Sequence, residues 1–166
     1  MGYSLSEINQ FEKAAFVRAL GHLFEHTPEI VALTWPRSPF QGKADMHQAM
    51  VEVMRSLPAE QQLALIRAHP ELGSTAKMAN ASIQEQASSG FDRLTPAEAA
   101  QLRQLNADYY KRFGFPFIIA VKHHTRAEVV AAFQRRLQNN REVEYANALD
   151  QIAEIAWLRL SALVTS

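Results

Sequence analysis

Residues 143–163 read VEYANALDQIAEIAWLRLSAL, and this stretch decides the fold class. Apolar side chains recur along it at the three- and four-residue spacing of an amphipathic α-helix. The predicted apolar stripe consists of Val143, Ala146, Leu149, Ile152, Ala156, Leu160 and Leu163. The sequence therefore predicts a long C-terminal helix that buries one face.

Helix starts upstream are marked by capping boxes, in which a Ser or Thr and a Glu three residues later bond to each other's backbone N–H groups. Four such boxes begin at Ser4, Ser82, Thr95 and Thr125. Apolar residues at helical spacing predict that the helix after Ser4 continues as far as Leu23. The box at Ser82 predicts a short helix, and the last two boxes predict longer ones.

Prolines and glycines predict where helices begin and end. Pro58 opens a helix that runs to Ala68, because proline fits the first helical position. This helix should stop near His69, since the ring of Pro70 disfavours helical geometry in the residue before it. Gly114 is the predicted C-terminal cap of the helix that starts after the third box.

Two segments lack a helical pattern. Residues 115–121 read FPFIIAV and have the composition of a β-strand, but the sequence offers no second strand to pair with them. We expect a buried extended segment there, and an ordered loop anchored by aromatic side chains at residues 35–40. The resulting prediction is an all-α fold: a single-domain irregular bundle of six or more helices over residues 1–166, with no significant sheet.

Composition narrows the class of protein. The chain has 166 residues, 48% of them apolar, with 17 Lys plus Arg against 17 Asp plus Glu. These values exclude bulk disorder and argue against nucleic-acid binding, which needs clustered basic residues. No apolar run approaches the roughly 18 residues that span a bilayer, so no membrane partner is expected. Without cysteine there is no thiol nucleophile and no Cys-ligated zinc, and we expect a cytoplasmic protein that acts on a small molecule.

Three polar positions are candidates for chemistry. Pro70 fixes the helix end and aims His69 from a rigid chain break, where the imidazole either acts as a base or interacts with the helix dipole. Glu85 completes a capping box, yet together with Gln86 it also provides polar groups beside a helix N-terminus, where anions bind. Arg159 lies at the margin of an apolar stripe, where it must reach solvent, pair with an acid or bind a ligand carboxylate.

The other histidines offer a weaker alternative. His22 and His26 lie four residues apart on one predicted helical face, a spacing that can hold two metal ligands. No third ligand lies beside them in sequence, so the end of an amphipathic helix is the favoured interpretation. A metal-dependent hydrolase that uses His22, His26 and His69 is kept as an alternative. His123 and His124 are predicted to lie on a loop surface.

Four blocks of sequence belong together: AHPELG at residues 68–73, SIQEQ at 82–86, YKRFGFPFII at 110–119 and IAWLRL at 155–160. In this order, the blocks resemble those of the 2-oxo-4-hydroxy-4-carboxy-5-ureidoimidazoline (OHCU) decarboxylases of purine and urate breakdown. With the loop at residues 35–40, the resemblance covers nearly the whole chain. Each block alone is weak evidence, whereas the ordered set is specific.

The resemblance implies an all-helical enzyme without cofactor or metal, usually a homodimer, that converts OHCU to (S)-allantoin. It implies that His69 is the catalytic histidine and that Glu85 is its acidic companion. It also implies a set of substrate-binding residues, some acting through their backbone: Pro70, Ser82, Gln86, Phe117, Ile118, Ile119 and Arg159.

The chain departs from the family pattern at two places near this predicted pocket. Ala120 stands where members often carry Cys, and Lys122-His123-His124 replaces a turn that commonly contains Arg. Neither departure changes the predicted site residues His69, Glu85 and Arg159. The alternative function is a non-catalytic helical module that binds a small molecule or a protein segment, because a shared fold does not by itself imply chemistry.

Overall fold

Helices make up most of the regular structure in the computed structural model, which describes residues 2–73, 84–87 and 89–165. The helices with defined bounds are α1 (Leu5–Asn9), α2 (Lys13–Leu20), α3 (Glu29–Thr34), α4 (Lys43–Ser56), α5 (Ala59–Ala68), α6 (Pro96–Phe113), α7 (Arg126–Arg136) and α8 (Arg141–Leu163). Residues 84–87 are also helical, and single 3-10 turns occur at Gly21–Leu23, Trp35–Arg37 and Val121–His123. The predicted all-α class is confirmed.

The described residues contain one small sheet. Strand β1 (Tyr3–Ser4) pairs in parallel with β2 (Val164–Thr165), with Tyr3 opposite Val164 and Ser4 opposite Thr165. Two residues per strand do not amount to a significant sheet, as predicted. Within the described ranges, no helix is both long and apolar enough to cross a membrane.

Three of the four capping boxes are confirmed, at Ser4, Thr95 and Thr125. At Thr95 the Glu98 N–H donates to the Thr hydroxyl at 3.1 Å, and the Thr95 N–H donates to the Glu98 carboxylate at 2.9 Å. The bond from the Thr95 backbone holds the pKa of Glu98 below its ordinary value. The box at Ser82 lies outside the described residues.

The prediction of one helix from Ser4 to Leu23 is wrong, because the chain breaks between α1 and α2. The Asn9 side chain bonds to the backbone N–H and C=O of Phe40, at 2.8 Å each. Trp35 Nε1 donates to the Phe11 carbonyl at 3.0 Å. The loop at residues 35–40 therefore bonds to the Asn9 side chain and the Phe11 carbonyl, which lie at the break between the helices. These bonds also confirm that the loop is ordered and anchored by aromatic residues.

The apolar stripe of α8 differs from the prediction at its start. Val143 is 44% exposed and Ala146 is exposed, whereas Glu144 and Ala148 are buried. The predicted residues Leu149, Ile152, Ala156 and Leu160 are buried, whereas Leu163 at the end of the helix is half-buried. A carboxylate therefore occupies the inward position that the apolar pattern assigns to Val143, and the donors that stabilise it are described below.

The chain forms two compact units: unit 1 comprises Met1–Leu65 and Ala153–Ser166, and unit 2 comprises Ile66–Ile152. Aromatic rings dominate the core of unit 2, where Phe117 stacks on Phe133 with their ring centres 3.9 Å apart. Tyr109 is fully buried beside both rings. Residues 115–120 form no helix or strand and are buried apart from half-buried Ile119, as predicted, whereas Val121 already begins a 3-10 turn.

Candidate active site

His69 lies directly after the last residue of α5, as predicted from Pro70. Its backbone N–H still donates to the Ile66 carbonyl at 3.2 Å, and the proline that follows has no N–H with which to extend the helix. His69 is only 8% exposed, and Pro70 is half-buried. The imidazole is thus held at the helix end, largely shielded from bulk water.

The loop after His69 is fixed by bonds to its backbone. The side-chain amide of Asn106, on α6, donates to the Leu72 carbonyl at 3.0 Å. Gly73 has a φ of +69°, and a Cβ at this position would lie 2.8 Å from the Leu102 side chain. Glycine therefore meets both a conformational and a spatial requirement here.

Gln86 connects this loop to the helical turn at residues 84–87. Its side-chain oxygen accepts from the Gly73 N–H at 3.0 Å, and its backbone carbonyl accepts from the Phe91 N–H at 2.8 Å. Gln86 is buried, and Glu85 beside it is half-buried. The structure thereby brings the loop of His69 and the turn of Glu85 together. Ser82, another predicted site residue, lies outside the described residues.

Residues 117–119, which are predicted to contact the substrate through their backbone, are linked to the region of the turn at residues 84–87. Phe117 and Ile118 are buried, whereas Ile119 is half-buried. Just beyond them, the Val121 carbonyl accepts from the Ser89 hydroxyl at 3.2 Å, which links the segment to the turn after Glu85. The Ala120 N–H donates to the Gln151 side chain at 2.9 Å. Three chain segments of unit 2 thus meet through bonds between side chains and backbone.

Reasoning from the sequence missed a buried ion pair behind this segment. Arg136 Nε lies 2.8 Å from Glu144 Oε1, and their side chains are 8% and 0% exposed. Arg136 Nη1 donates to the Ile118 carbonyl at 2.8 Å. The available signal was position: Arg136 follows Val129 and Phe133 at helical spacing and therefore lies on the inward face of α7.

Glu144 is surrounded by donors. The Tyr109 hydroxyl lies 2.6 Å from its carboxylate, and the amides of Asn139 and Asn147 lie 2.8 and 2.7 Å away. Burial alone would raise the pKa of Glu144, but these bonds and the Arg136 charge outweigh it and hold the pKa below its ordinary value. Burial, followed by the bond to Glu144, raises the pKa of Tyr109 far above its ordinary value. The carboxylate is therefore ionised, and the phenol is its donor.

Arg159 belongs to unit 1 and is buried there. Its Nη2 lies 3.2 Å from the Glu25 carboxylate, and its Nη1 donates to the His22 carbonyl at 3.1 Å. Of the three possibilities that the sequence left open for this side chain, the structure supports pairing with an acid. Glu25, which is 1% exposed, was missed because it lies in a turn and has no position on an apolar stripe.

The prediction that His22 and His26 share one helical face is wrong. α2 ends at Leu20, His22 lies in the following 3-10 turn, and His26 has a φ of +48°. In the part of the chain that the structure describes, no group of three or more His, Asp or Glu side chains is arranged to hold a metal ion. His123 and His124 are exposed, which confirms their predicted surface position.

A cavity of about 350 Å³ opens elsewhere in unit 2, between α6 and α7. Leu102 and Val130 contribute to its apolar wall, and Arg126 and Glu98 pair beside it at 3.3 Å. None of the predicted site residues that the structure describes lines this cavity. The candidate site is therefore defined by the bonded segments described above.

Comparison with known proteins gives a consistent result. A model of the OHCU decarboxylase family matches residues 9–161. A protein of Halalkalicoccus jeotgali named 2-oxo-4-hydroxy-4-carboxy-5-ureidoimidazoline decarboxylase is 38% identical, over 96% of this chain and 91% of that protein. A Mus musculus protein of the same name is 33% identical, over 95% and 91%. The crystal structure of an (S)-allantoin synthase superposes with a TM-score of 0.79 at 27% identity, over 96% of this chain and 54% of that one. The chain therefore belongs to the OHCU decarboxylase family.

Proposed function

We propose that this protein decarboxylates OHCU to (S)-allantoin in urate degradation. Membership of the OHCU decarboxylase family supports this reaction. The observation that carries the proposal is the 3.0 Å bond from the Gly73 N–H to Gln86, because it joins the loop after His69 to the turn of Glu85. An imidazole and a carboxylate on connected segments suit acid–base chemistry.

The substrate itself explains why few protein groups are needed. Its carboxylate is attached to a carbon that also bears a hydroxyl, next to a ring C=N. When carbon dioxide leaves, the bonding electrons form a double bond between the two ring carbons and displace the C=N electrons onto nitrogen. The nitrogen takes up a proton. The hydroxyl then loses its proton to become a carbonyl, while the adjacent carbon gains a proton on one face, so the reaction consumes one proton overall. The protein must orient the substrate, handle these protons and stabilise the developing charge.

The predicted residues divide these tasks. His69 exchanges the hydroxyl proton, and Glu85 holds its imidazole in one tautomer. Arg159 anchors polar oxygens of the ring or of the ureido arm, as a guanidinium fork is suited to do. The remaining roles are to line the pocket or to contact the ring through the backbone, by Pro70, Ser82, Gln86, Phe117, Ile118 and Ile119.

The reaction can be tested directly by circular dichroism. The short-lived substrate is generated from urate with the two preceding enzymes, this protein is added, and the appearance of one allantoin enantiomer is followed. Acceleration over buffer supports the proposal. If the rate equals that in buffer, the proposal fails and the non-catalytic binding module is favoured.

Substitution of His69 tests its role. Acid–base help is worth about 10²–10⁴-fold in rate, so His69→Asn should lower kcat by about that factor and leave the fold intact. The matched control is His47→Asn, because His47 is also partly buried and bonded, at 2.8 Å to the Ala153 carbonyl, but is no predicted site residue. Equal kcat in both variants would remove His69 from the mechanism.

Four further properties belong to the proposal: the reaction needs no cofactor, and the protein acts as one domain over residues 1–166, as a homodimer, in the cytoplasm. The electron sink within the substrate supports the first property, the family resemblance supports the homodimer, and the sequence pattern and composition are the basis for the single domain and the cytoplasmic location. Activity that survives dialysis against chelator supports a cofactor-free reaction, and loss of activity contradicts it. Sedimentation reports the oligomeric state, and a single cooperative unfolding transition supports one domain.

A further inference from the structure

Arg136 holds two consecutive residues of the segment that is proposed to contact the substrate. Its Nη1 donates to the Ile118 carbonyl at 2.8 Å. Its guanidinium carbon lies 4.3 Å from the centre of the Phe117 ring, within the range of a cation–π contact. Because Arg136 is only 7% exposed, both contacts are made away from bulk water.

Glu144 fixes Arg136 from the opposite side. The 2.8 Å bond from Arg136 Nε sets the plane of the guanidinium, and a planar fork held at one edge has little freedom at the other. The carboxylate is itself held by the Tyr109 hydroxyl and by the amides of Asn139 and Asn147. The grip on Ile118 therefore rests on a chain of bonded, buried groups.

The geometry of one peptide unit extends this grip to Ile119. The only cis peptide among the described residues joins Ser38 to Pro39, so the unit between Ile118 and Ile119 is trans. In a trans peptide the C=O and the N–H point in opposite directions. The Ile119 N–H therefore faces away from Arg136, and in the described part of the chain no acceptor bonds to it.

The Ile119 N–H also suits a ligand chemically. Ile119 is half-buried, whereas Ile118 and Ala120 on either side of it are buried. A cation bonded to the carbonyl of a peptide polarises the whole unit and strengthens its N–H as a donor. Among the described residues this N–H has no acceptor, and its residue is half-buried, so it is available to an oxygen of a bound molecule.

We propose that Arg136 is a positioning residue for the proposed reaction, orienting the Ile119 N–H to donate to an oxygen of the substrate. This inference rests on the proposed function. It adds a residue to which the family resemblance gave no role, together with the acid, Glu144, that holds it. Arg136 acts through the peptide and does not itself touch the substrate.

The test substitutes Arg136→Lys, which keeps a positive charge opposite Glu144 but loses the planar fork. A single ammonium cannot reproduce both the bond to Glu144 and the aimed bond to Ile118. Removal of an oxyanion donor typically costs about 10²–10³ in kcat. Because the donor here is displaced and not removed, we expect kcat/KM to fall about tenfold or more in the folded variant.

The matched control is Arg141→Lys. Arg141 Nε donates to the Phe113 carbonyl at 3.1 Å, and its guanidinium lies 5.5 Å from the centre of the Phe115 ring. Both arginines bond to a backbone carbonyl and lie beside a phenylalanine ring, but Arg141 is exposed and holds a different backbone segment. Its kcat/KM should stay within about twofold of the unmodified protein. An equal loss in both variants would mean that any arginine bonded to the backbone matters, and would overturn the inference.

A second measurement does not depend on whether Arg136→Lys folds. When (S)-allantoin is titrated into the unmodified, isotope-labelled protein, the amide resonance of Ile119 should shift in a saturable way. An unchanged resonance at saturating ligand contradicts the inference. The two proposals fail separately: an inactive unmodified protein overturns the proposed function, whereas an active protein with an unaltered Arg136→Lys variant overturns only the inference.

Discussion

Glu144→Gln should cause a large loss of stability. The side chain keeps its shape, but the carboxylate that faces Arg136 Nε at 2.8 Å becomes neutral. One of the two carboxylate oxygens also becomes an amide donor, which then faces either the donors of Arg136 and Tyr109 or those of Asn139 and Asn147. The change therefore leaves a buried guanidinium without its counter-charge. It also places a hydrogen-bond donor opposite other donors, where no bond can form.

The magnitude follows from burial. Because the two side chains are 8% and 0% exposed, water cannot take over the lost interaction. Removing one partner of a buried pair costs about 3–5 kcal/mol, a large part of the roughly 5–15 kcal/mol that stabilises a typical domain. At about 2–4 °C per kcal/mol for a chain of this size, Tm should fall by about 6–20 °C.

Urea and thermal unfolding followed by far-UV circular dichroism measure this loss. The matched control is Glu52→Gln, because Glu52 pairs with Arg37 at 2.8 Å while both side chains are about half exposed, at 50% and 48%. Exposed pairs contribute little, so we expect no measurable change in Tm for this variant. A Glu144→Gln variant as stable as the control would refute the argument from burial.

Three further predictions concern acid, backbone geometry and substrate binding. Since the folded-state pKa of Glu144 lies below its ordinary value of 4.5, the unfolded state takes up the proton first. The free energy of unfolding should therefore fall as pH drops below about 4.5 and through the folded-state pKa. Urea titrations at a series of pH values should show that this free energy depends less on pH in Glu144→Gln. Gly73→Ala should cost about 1–3 kcal/mol, because its φ of +69° strains alanine and the new Cβ would lie 2.8 Å from Leu102; an unchanged urea midpoint would contradict this. Arg159→Lys should raise KM and, because Glu25 loses a fork partner, lower Tm as well; an unchanged KM in steady-state assays would argue that the role of Arg159 is structural.

Features that depend on near neighbours were predicted from the sequence. The boxes at Thr95 and Thr125 each need only a Glu three residues further on, and both form. Gly114 ends α6 with a φ of +79°, a conformation that glycine adopts without strain. Pro70 fixed the position of His69 at the end of α5 for an equally local reason.

Features that depend on distant residues were not predicted. The break after α1 involves Asn9 and Phe40, which are 31 positions apart. The inward turn of Glu144 depends on Tyr109, 35 positions away, so an apolar pattern assigns the buried position to Val143 instead. Local spacing carries no information about such bonds.

The candidate site divides in the same way. The residue types at His69 and Glu85 were conspicuous, whereas the bond between Gly73 and Gln86 that connects their segments requires the folded chain. Arg136 escaped notice because charged side chains usually lie on the surface. Its position at helical spacing from Phe133 was the only indication, and that spacing alone does not name the Ile118 carbonyl as its acceptor.

Salt in the solvent screens the exposed ion pairs of this protein much more strongly than the buried pair of Arg136 and Glu144. At physiological ionic strength, screening acts over about 8 Å between charges in contact with solvent, as with Arg37 and Glu52. Arg136 and Glu144 are almost wholly enclosed, so few ions can approach them. The backbone at residues 117–119 should consequently keep its shape from dilute buffer to concentrated brine, while the surface pairs weaken.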